Sequence, residues 1–352
     1  MFEEPRLGQN AHLSFTRVHG KNAMSEPVLL SASLSLMMRN ADVHRRLRSI
    51  ASRGLVQFMH RAQACARRTV SKLIDLIVGK DRADLVAEFV HPLTISMVCE
   101  LLGVPQSDWH FFMENKLVTE RIFLSKPMTS VETAMENQRF AELSQYFTDL
   151  LRVKAQDGTD DFVSVLAEAH FKQAALTFEE AVSNAILLFG AGHDTTRGLL
   201  TNSLLALYEN DAQRALLTQN PQLIAGAIDE FLRYDSPVQT IARVALQDLV
   251  FGGLTLLEGD AVVAIMGAGN RDPAVYPDPN VLNILRRPTV KPLSFGGGVH
   301  YCLGTQLARL EATIALEALL PRLREAQLVS FQRSATLIVR GLDSLVVDLR
   351  GR

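Results

Sequence analysis

The stretch from Ala181 to Asn210 constrains the fold more than any other part of the sequence. Its 30 residues would make a helix about 45 Å long. Apolar side chains recur on several faces of it, as Ile186-Leu187-Leu188-Phe189, Leu199-Leu200 and Leu204-Leu205. A helix of that kind runs buried through the middle of a domain.

The surrounding chain supplies more helices and then changes texture. Amphipathic stretches cover His44–Arg53, Leu55–Val78, Ala83–Leu102, Met135–Gln156 and Thr177–Asn210, separated by turn signals such as Gly103-Val104-Pro105 and Gln156-Asp157-Gly158. From Val238 onward the runs are short and β-favouring: Ile241–Ala245, Leu249–Leu257 around Gly252-Gly253, and Val262–Ile265. A proline-studded segment, Asp272–Lys291, leads to a glycine cluster. A last helix is expected over Leu303–Leu320, and a hairpin over Ala326–Leu349. No repeat, linker or low-complexity tract divides the chain, so residues 1–352 read as one domain, mainly α with small β-sheets.

Composition excludes several functions. With 47% hydrophobic residues and a net charge of −2, the chain is not disordered. Its 36 basic residues face 38 acidic ones, so binding of nucleic acid through overall charge is not expected. No apolar run is long enough for a membrane span, and Met1–Pro5 carries no secretory signature, so a cytoplasmic location is expected. Three cysteines, Cys65, Cys99 and Cys302, are too scattered for a disulfide framework or a Cys-x-x-Cys metal site.

Phe295-Gly296-Gly297-Gly298-Val299-His300-Tyr301-Cys302-Leu303-Gly304 is the most informative segment. Cys302 stands at the start of a helix, where free N–H groups and the dipole favour a thiolate. The glycines permit tight turns and close approach of backbone to a flat ligand. A thiolate facing N–H donors and shielded by Phe295 suits an axial iron ligand. The plainer reading is a buried cysteine after a flexible loop. A phosphate-cradling loop is disfavoured, because no Gly-Lys-Ser/Thr follows.

The segment resembles the haem-binding signature of the cytochrome P-450 family of haem-thiolate monooxygenases, Phe-Gly-x-Gly-x-His/Arg-x-Cys-x-Gly, with every fixed position filled. Other segments match in the family's order from Glu4 to Leu349. The resemblance implies a cytochrome P-450 fold, haem b as cofactor, and Cys302 as the metal ligand, with Phe295, Gly304 and Ala191 beside the haem. It implies insertion of one oxygen atom from dioxygen into an apolar small molecule, by hydroxylation or epoxidation.

Other constellations acquire roles through the same resemblance. Glu230-Phe231-Leu232-Arg233 places an acid and a guanidinium side by side on a helix. The family's pair is buried and structural, tying the helix to the meander before the cysteine. The meander departs from the family at Val281-Leu282-Asn283, leaving Arg286 as the candidate third member. In Phe189-Gly190-Ala191-Gly192-His193-Asp194-Thr195-Thr196, two glycines interrupt the long helix. The plain account is close packing, with Thr195 bonded back to an i−4 carbonyl. The resemblance makes this the oxygen-activation groove, with Thr195 bonding dioxygen or its water, Asp194 relaying protons, Thr196 a second choice and His193 turned away. His44, Arg48, Arg243 and His300 match the residues that hold the haem propionates.

One charge pattern needs no family comparison. Between Asp42 and Asp75 there is no acidic residue, while Arg45, Arg46, Arg48, Arg53, Arg61, Arg67, Arg68 and Lys72 give eight positive charges. The chain has no flavin or iron–sulfur module of its own. An acidic ferredoxin, served by its reductase, is therefore expected to dock near Arg45, Arg46, Arg61, Arg67 and Arg68. The competing functions are a peroxide-using peroxygenase, which the Asp194-Thr195 pair argues against, and a non-catalytic haem-binding or carrier-recruiting protein.

By resemblance the substrate pocket draws on the loop after Leu7, Val118–Phe123, Leu187–Ala191, Val238–Ala242 and the turn at Gly341-Leu342. Most of these are aliphatic, which favours an apolar substrate. The family's domain is usually longer, and Glu4–Gly8 resembles the end of its second helix. The N-terminal helix and first sheet strands are therefore expected to be missing. That would leave a sheet edge for something to cover, such as the second subunit of a homodimer.

Overall fold

The structure is a computed structural model that describes residues 1–114, 127–287, 289–336 and 338–350. Its helices are α1 (Ala11–His19), α2 (Pro27–Leu34), α3 (Ala41–Ile77), α4 (His91–Leu102), α5 (Trp109–Glu114) and α6 (Ser130–Gln156). They continue as α7 (Phe162–Phe171), α8 (Phe178–Tyr208), α9 (Asp211–Gln219), α10 (Ile224–Tyr234), α11 (Met266–Gly269) and α12 (Thr305–Leu319). The strands are β1 (Leu7–Gly8), β2 (Arg82–Asp84), β3 (Thr240–Ala245), β4 (Leu249–Phe251), β5 (Leu254–Leu256), β6 (Ala261–Ile265), β7 (Gln327–Arg333) and β8 (Leu342–Asp348).

The helix α8 is the axis of the molecule. Thr177 and Glu180 close a capping box at its start: the Glu180 N–H donates to Thr177 Oγ1 at 3.1 Å, and the Thr177 N–H to Glu180 Oε2 at 3.0 Å. Residues 181–186 and 198–207 of it are buried on all sides, with α4, α6, α7, α10 and α12 packed against the helix. One apolar cluster, from Phe15 to Val347, surrounds it.

Three helices differ from the sequence reading. The glycines at 190 and 192 do not interrupt α8, which is continuous. Gly192 serves packing instead, since a Cβ there would lie 2.8 Å from Val98 Cγ2 on α4. The stretches His44–Arg53 and Leu55–Val78 are one helix of 37 residues, α3. The apparent break, Gly54, is the point where Phe162 of α7 comes closest, 2.7 Å from where a Cβ would be. The expected helix Ala83–Leu102 begins two residues late, at Leu85, and passes through a π-helical turn over Val86–Val90 into α4 at His91. Arg82–Asp84 is drawn into β2 by β8, and the Asp84 carboxylate accepts the Val86 N–H at 2.9 Å to turn the chain.

The strands form a sheet β1-β3-β6, a sheet β2-β8-β7 and the hairpin β4-β5. Leu7-Gly8, expected at a helix end, is instead the edge strand β1, with Leu7 opposite Ala245. Residues 9–40 contribute helices and turns but no strand. The outer edge of β6 is accordingly unpaired among the described residues, with Val263 and Ile265 48% and 62% exposed. Among the described residues no helix is long and apolar enough to cross a membrane.

Candidate active site

Cys302 lies in the turn that precedes α12. Its N–H donates to the Phe295 carbonyl at 2.9 Å, and the Thr305 hydroxyl donates to its carbonyl at 2.9 Å. Gly296 and Gly298, at φ +70° and +64°, provide the left-handed positions that let the loop close on itself. The thiol is solvent-accessible, yet protein crowds it closely enough for desolvation to raise its pKa. Such a group lines an internal slot rather than the outer surface. The N–H groups of Gly304 and Thr305, the Thr305 hydroxyl and the Arg48 charge oppose the rise by favouring the thiolate. Phe295 is held on its other side by Arg309, whose guanidinium lies 5.3 Å from the ring and is anchored to Asp229. Cys65 and Cys99 are buried in the core, where burial pushes the Cys99 thiol far up.

Two arginines and two histidines converge beside the loop. The rings of His44 and His300 are 4.2 Å apart, and each has a buried Nε2 without a partner. Arg243, 5% exposed, donates only to the neighbouring Ala242 carbonyl, at 2.9 Å, and stands 5.8 Å from the Phe2 ring. Arg48 donates to the Tyr301 carbonyl at 2.8 Å. Among the described residues no carboxylate forms an ion pair with any of the four. Burial lowers the His300 pKa to about 3, with repulsion from His44, Arg243 and Arg48 adding to it. Burial, Arg48 and Arg243 lower that of His44.

On α8, Ala191 is exposed between the buried Gly190 and the half-buried Gly192, so it too faces an opening. The Thr195 hydroxyl donates to the Ala191 carbonyl at 2.9 Å, and that of Thr196 to Gly192 at 3.2 Å, which are the i−4 bonds of the plainer account. Asp194 is flanked by His193 Nε2 at 3.4 Å and Arg197 Nη2 at 3.5 Å. His193 is anchored in the core, bonded to the Phe189 carbonyl at 2.6 Å and stacked on the Phe189 ring. Arg197 escaped the sequence reading, although its i+3 spacing from Asp194 was visible.

Behind the cysteine loop, Arg233 forms two 2.8 Å bonds to Glu230, both buried, and donates to the carbonyls of Asn270, Pro279 and Val281. Arg286 completes the cluster at 3.1 Å from Glu230, and the Asn283 N–H adds a 2.9 Å bond. Asn270 passes the connection on to Leu293 and Ser294, directly before Phe295.

The basic stretch of α3 is less free than its sequence suggests. Arg45 pairs with Asp42, Arg46 with Glu180, Arg53 with Glu168, Arg61 and Arg68 with Glu100, and Arg67 with Glu317. The acids come mostly from other helices, which sequence spacing along α3 cannot show. Of the expected pocket segments, Leu187, Leu188 and Val238–Ala242 are partly exposed, and Gly341 packs on Gly198. Val118–Phe123 lies outside the described residues.

Residues 217–327 match the Cytochrome P450 family model. The chain is 36% identical over 301 residues to a biotin biosynthesis cytochrome P450 of Bacillus subtilis (strain 168), covering 84% of this chain and 75% of that protein. The chain belongs to the cytochrome P450 family. The crystal structure of P450BioI in complex with hexadec-9Z-enoic acid ligated acyl carrier protein superposes with a TM-score of 0.89 at 31% identity, covering 99% of this chain and 88% of that one. The myxobacterial cytochrome P450 CYP267B1, in complex with myristic acid, gives a TM-score of 0.88 at 28% identity, covering 100% and 87%.

As a cytochrome P450 the protein is a haem-thiolate monooxygenase with haem b as its cofactor. The residues present fit that group. Cys302 is accessible, and the buried Arg243, Arg48 and two unpartnered histidine nitrogens have no carboxylate of their own among the described residues, while haem carries two.

Proposed function

We propose that this single 352-residue unit is a P450 monooxygenase acting on a long apolar acyl chain, with Cys302 as the proximal ligand. The observation that carries the assignment of the site is the pairing of an exposed-yet-desolvated Cys302 with a carboxylate-free cluster of His44, Arg48, Arg243 and His300. When bound, haem supplies the iron at which dioxygen is activated. The protein's own contributions are then distinct. Gly304 and Thr305 set the electron density on sulfur by donating to it, and Phe295 screens it; Arg48 and Arg243 would neutralise the haem carboxylates, and the His44 and His300 ring nitrogens would orient them by hydrogen bonds. Asp194, flanked by His193 and Arg197, would relay protons, and Thr195, whose hydroxyl rests on the Ala191 carbonyl, would take up the bound oxygen or its water. The groove is opened by the small side chain of Ala191.

Support for an acyl substrate is twofold. The expected pocket segments are aliphatic, and two solved relatives hold fatty-acid chains, one of them attached to an acyl carrier protein. Electrons would come from a ferredoxin. All five expected arginines have an acid partner, but Arg45, Arg67 and Arg68 keep more than half of the side chain exposed in those pairs, and with Lys72 they would form the docking surface.

The decisive experiment has two parts. Replacing Cys302→Ala is expected to abolish the thiolate-type carbonyl spectrum of the reduced protein; its survival would remove Cys302 from the assignment. Free fatty acids and acyl-carrier conjugates of graded length should then shift the haem spectrum of the parent and yield products heavier by one oxygen. A screen in which only compact polycyclic ligands bind would overturn the acyl reading.

A further inference from the structure

The geometry points to Phe2 as a lid over the cation cluster, its ring covering the Arg243 guanidinium so that water is kept from the end of the slot that takes the haem carboxylates. This rests on the reading of His44, Arg48, Arg243 and His300 as the carboxylate cradle.

Arg243 poses the problem that Phe2 answers. It is nearly fully buried, bonds one carbonyl and has no acid beside it, a costly state for a guanidinium. A protein carboxylate at that place would relieve the cost but would compete with the incoming anion. An aromatic face relieves part of it while leaving the charge free, and the Phe2 ring stands 5.8 Å from the guanidinium carbon.

The loop before Cys302 is shaped around this residue. Gly298 needs to be glycine for its backbone, at φ +64°, and a Cβ there would also collide with the Phe2 carbonyl oxygen. Gly297 does not: at φ −166° its backbone is extended, which any residue can adopt, and the haem signature leaves that position free. The three atoms closest to a Cβ at 297 all belong to Phe2, at 3.0–3.1 Å. Space for Phe2 is thus the tightest steric constraint on Gly297.

The segment that carries Phe2 is held in place. β1 pairs with β3 at Leu7–Ala245 and Gly8–Val244, directly beside Arg243. Before it, Glu4 accepts from the Arg6 N–H at 3.1 Å and from its guanidinium at 2.7 and 2.8 Å, and the Leu7 N–H donates to the Glu4 carbonyl at 3.0 Å.

The test uses the haem-loaded protein and reads the rate at which haem transfers to excess apomyoglobin, alongside the midpoint potential of the iron. F2L keeps apolar bulk without the aromatic face, and F2W keeps the face. The expected result is haem loss about three- to tenfold faster in F2L, with F2W close to the parent. G297A, which pushes Phe2 aside, should behave as F2L does. In an R243A background F2L should add nothing, since the cation it covers is gone. The thiolate-type carbonyl spectrum should persist in every variant. If R243A speeds haem loss while F2L and G297A do not, the lid is wrong and the cradle stands. If R243A itself leaves haem loss unchanged, the cradle reading fails and the lid with it.

Discussion

Two charged clusters flank the cysteine loop, and they are built on opposite plans. In the Glu230–Arg233–Arg286 cluster, both acid oxygens accept from guanidinium groups, Asn283 adds an N–H, and the remaining Arg233 donors reach three carbonyls. In the His44–Arg48–Arg243–His300 cluster, two ring nitrogens are orphaned and no acid is present among the described residues. The first is closed and needs nothing from outside. The second is complete only with an anion in it. Satisfaction of hydrogen bonds therefore separates groups that hold the fold from groups that wait for a ligand, although both are buried and basic.

That contrast breaks if the two clusters respond alike to loss of an arginine. Arg233→Ala leaves the Glu230 carboxylate buried with only part of its partners, and the haem-free protein should lose about 3–5 kcal/mol in urea denaturation. Arg243→Ala should do the opposite, leaving the haem-free protein as stable as the parent or more so. Haem affinity by titration should then fall about ten- to a hundredfold, the worth of a charged hydrogen bond. Equal stability losses in both variants would erase the distinction.

Glu311 on α12 sharpens it further, because it is a buried acid that is left unsatisfied. It is fully buried, its Oε2 has no partner, and burial alone holds its pKa well above the usual carboxylate range. The folded state keeps the Glu311 proton at pH values where the unfolded chain has released it. Stability is therefore lost as pH rises above the ordinary value of 4.5. Glu311→Gln should stabilise the protein by about 1–3 kcal/mol at pH 7 and hardly at all at pH 4. A stabilisation independent of pH would show that the acid is ionised in the fold.

The smallest effect is expected at the outer surface. Reversing the charge of Arg67 and Arg68 together should slow reduction by a ferredoxin about two- to fivefold at low salt, with the difference vanishing at high salt. An unchanged rate and salt dependence would move the docking surface elsewhere.

Legibility in the sequence followed the range of the interactions. The cysteine loop was readable because its glycines, His300 and Cys302 are within ten residues of one another. The capping-box residues Thr177 and Glu180 and the hairpin around Gly252-Gly253 are equally local. Arg286 could be nominated because a motif left one position to fill. What stayed hidden depended on contacts between distant segments. The carboxylates of Glu180, Glu168, Glu100 and Glu317 quiet the α3 arginines from other helices, Phe2 meets Gly297, and β8 converts Arg82–Asp84 from helix to strand. The glycines at 54 and 192 misled for the same reason, since each answers to a side chain on another helix.

The strand β2 also has a consequence for synthesis. Arg82–Asp84 pairs with Val346–Asp348, and the Asp84 carboxylate accepts the Leu345 N–H at 3.0 Å. A segment in the first quarter of the chain thus waits for residues near its far end. Helices such as α3 can form as they leave the ribosome, but the sheet that joins them to the C-terminal hairpin cannot. Until then the segment between α3 and α4 stays unlatched, and that interval is when the nascent chain is most open to chaperones and proteases.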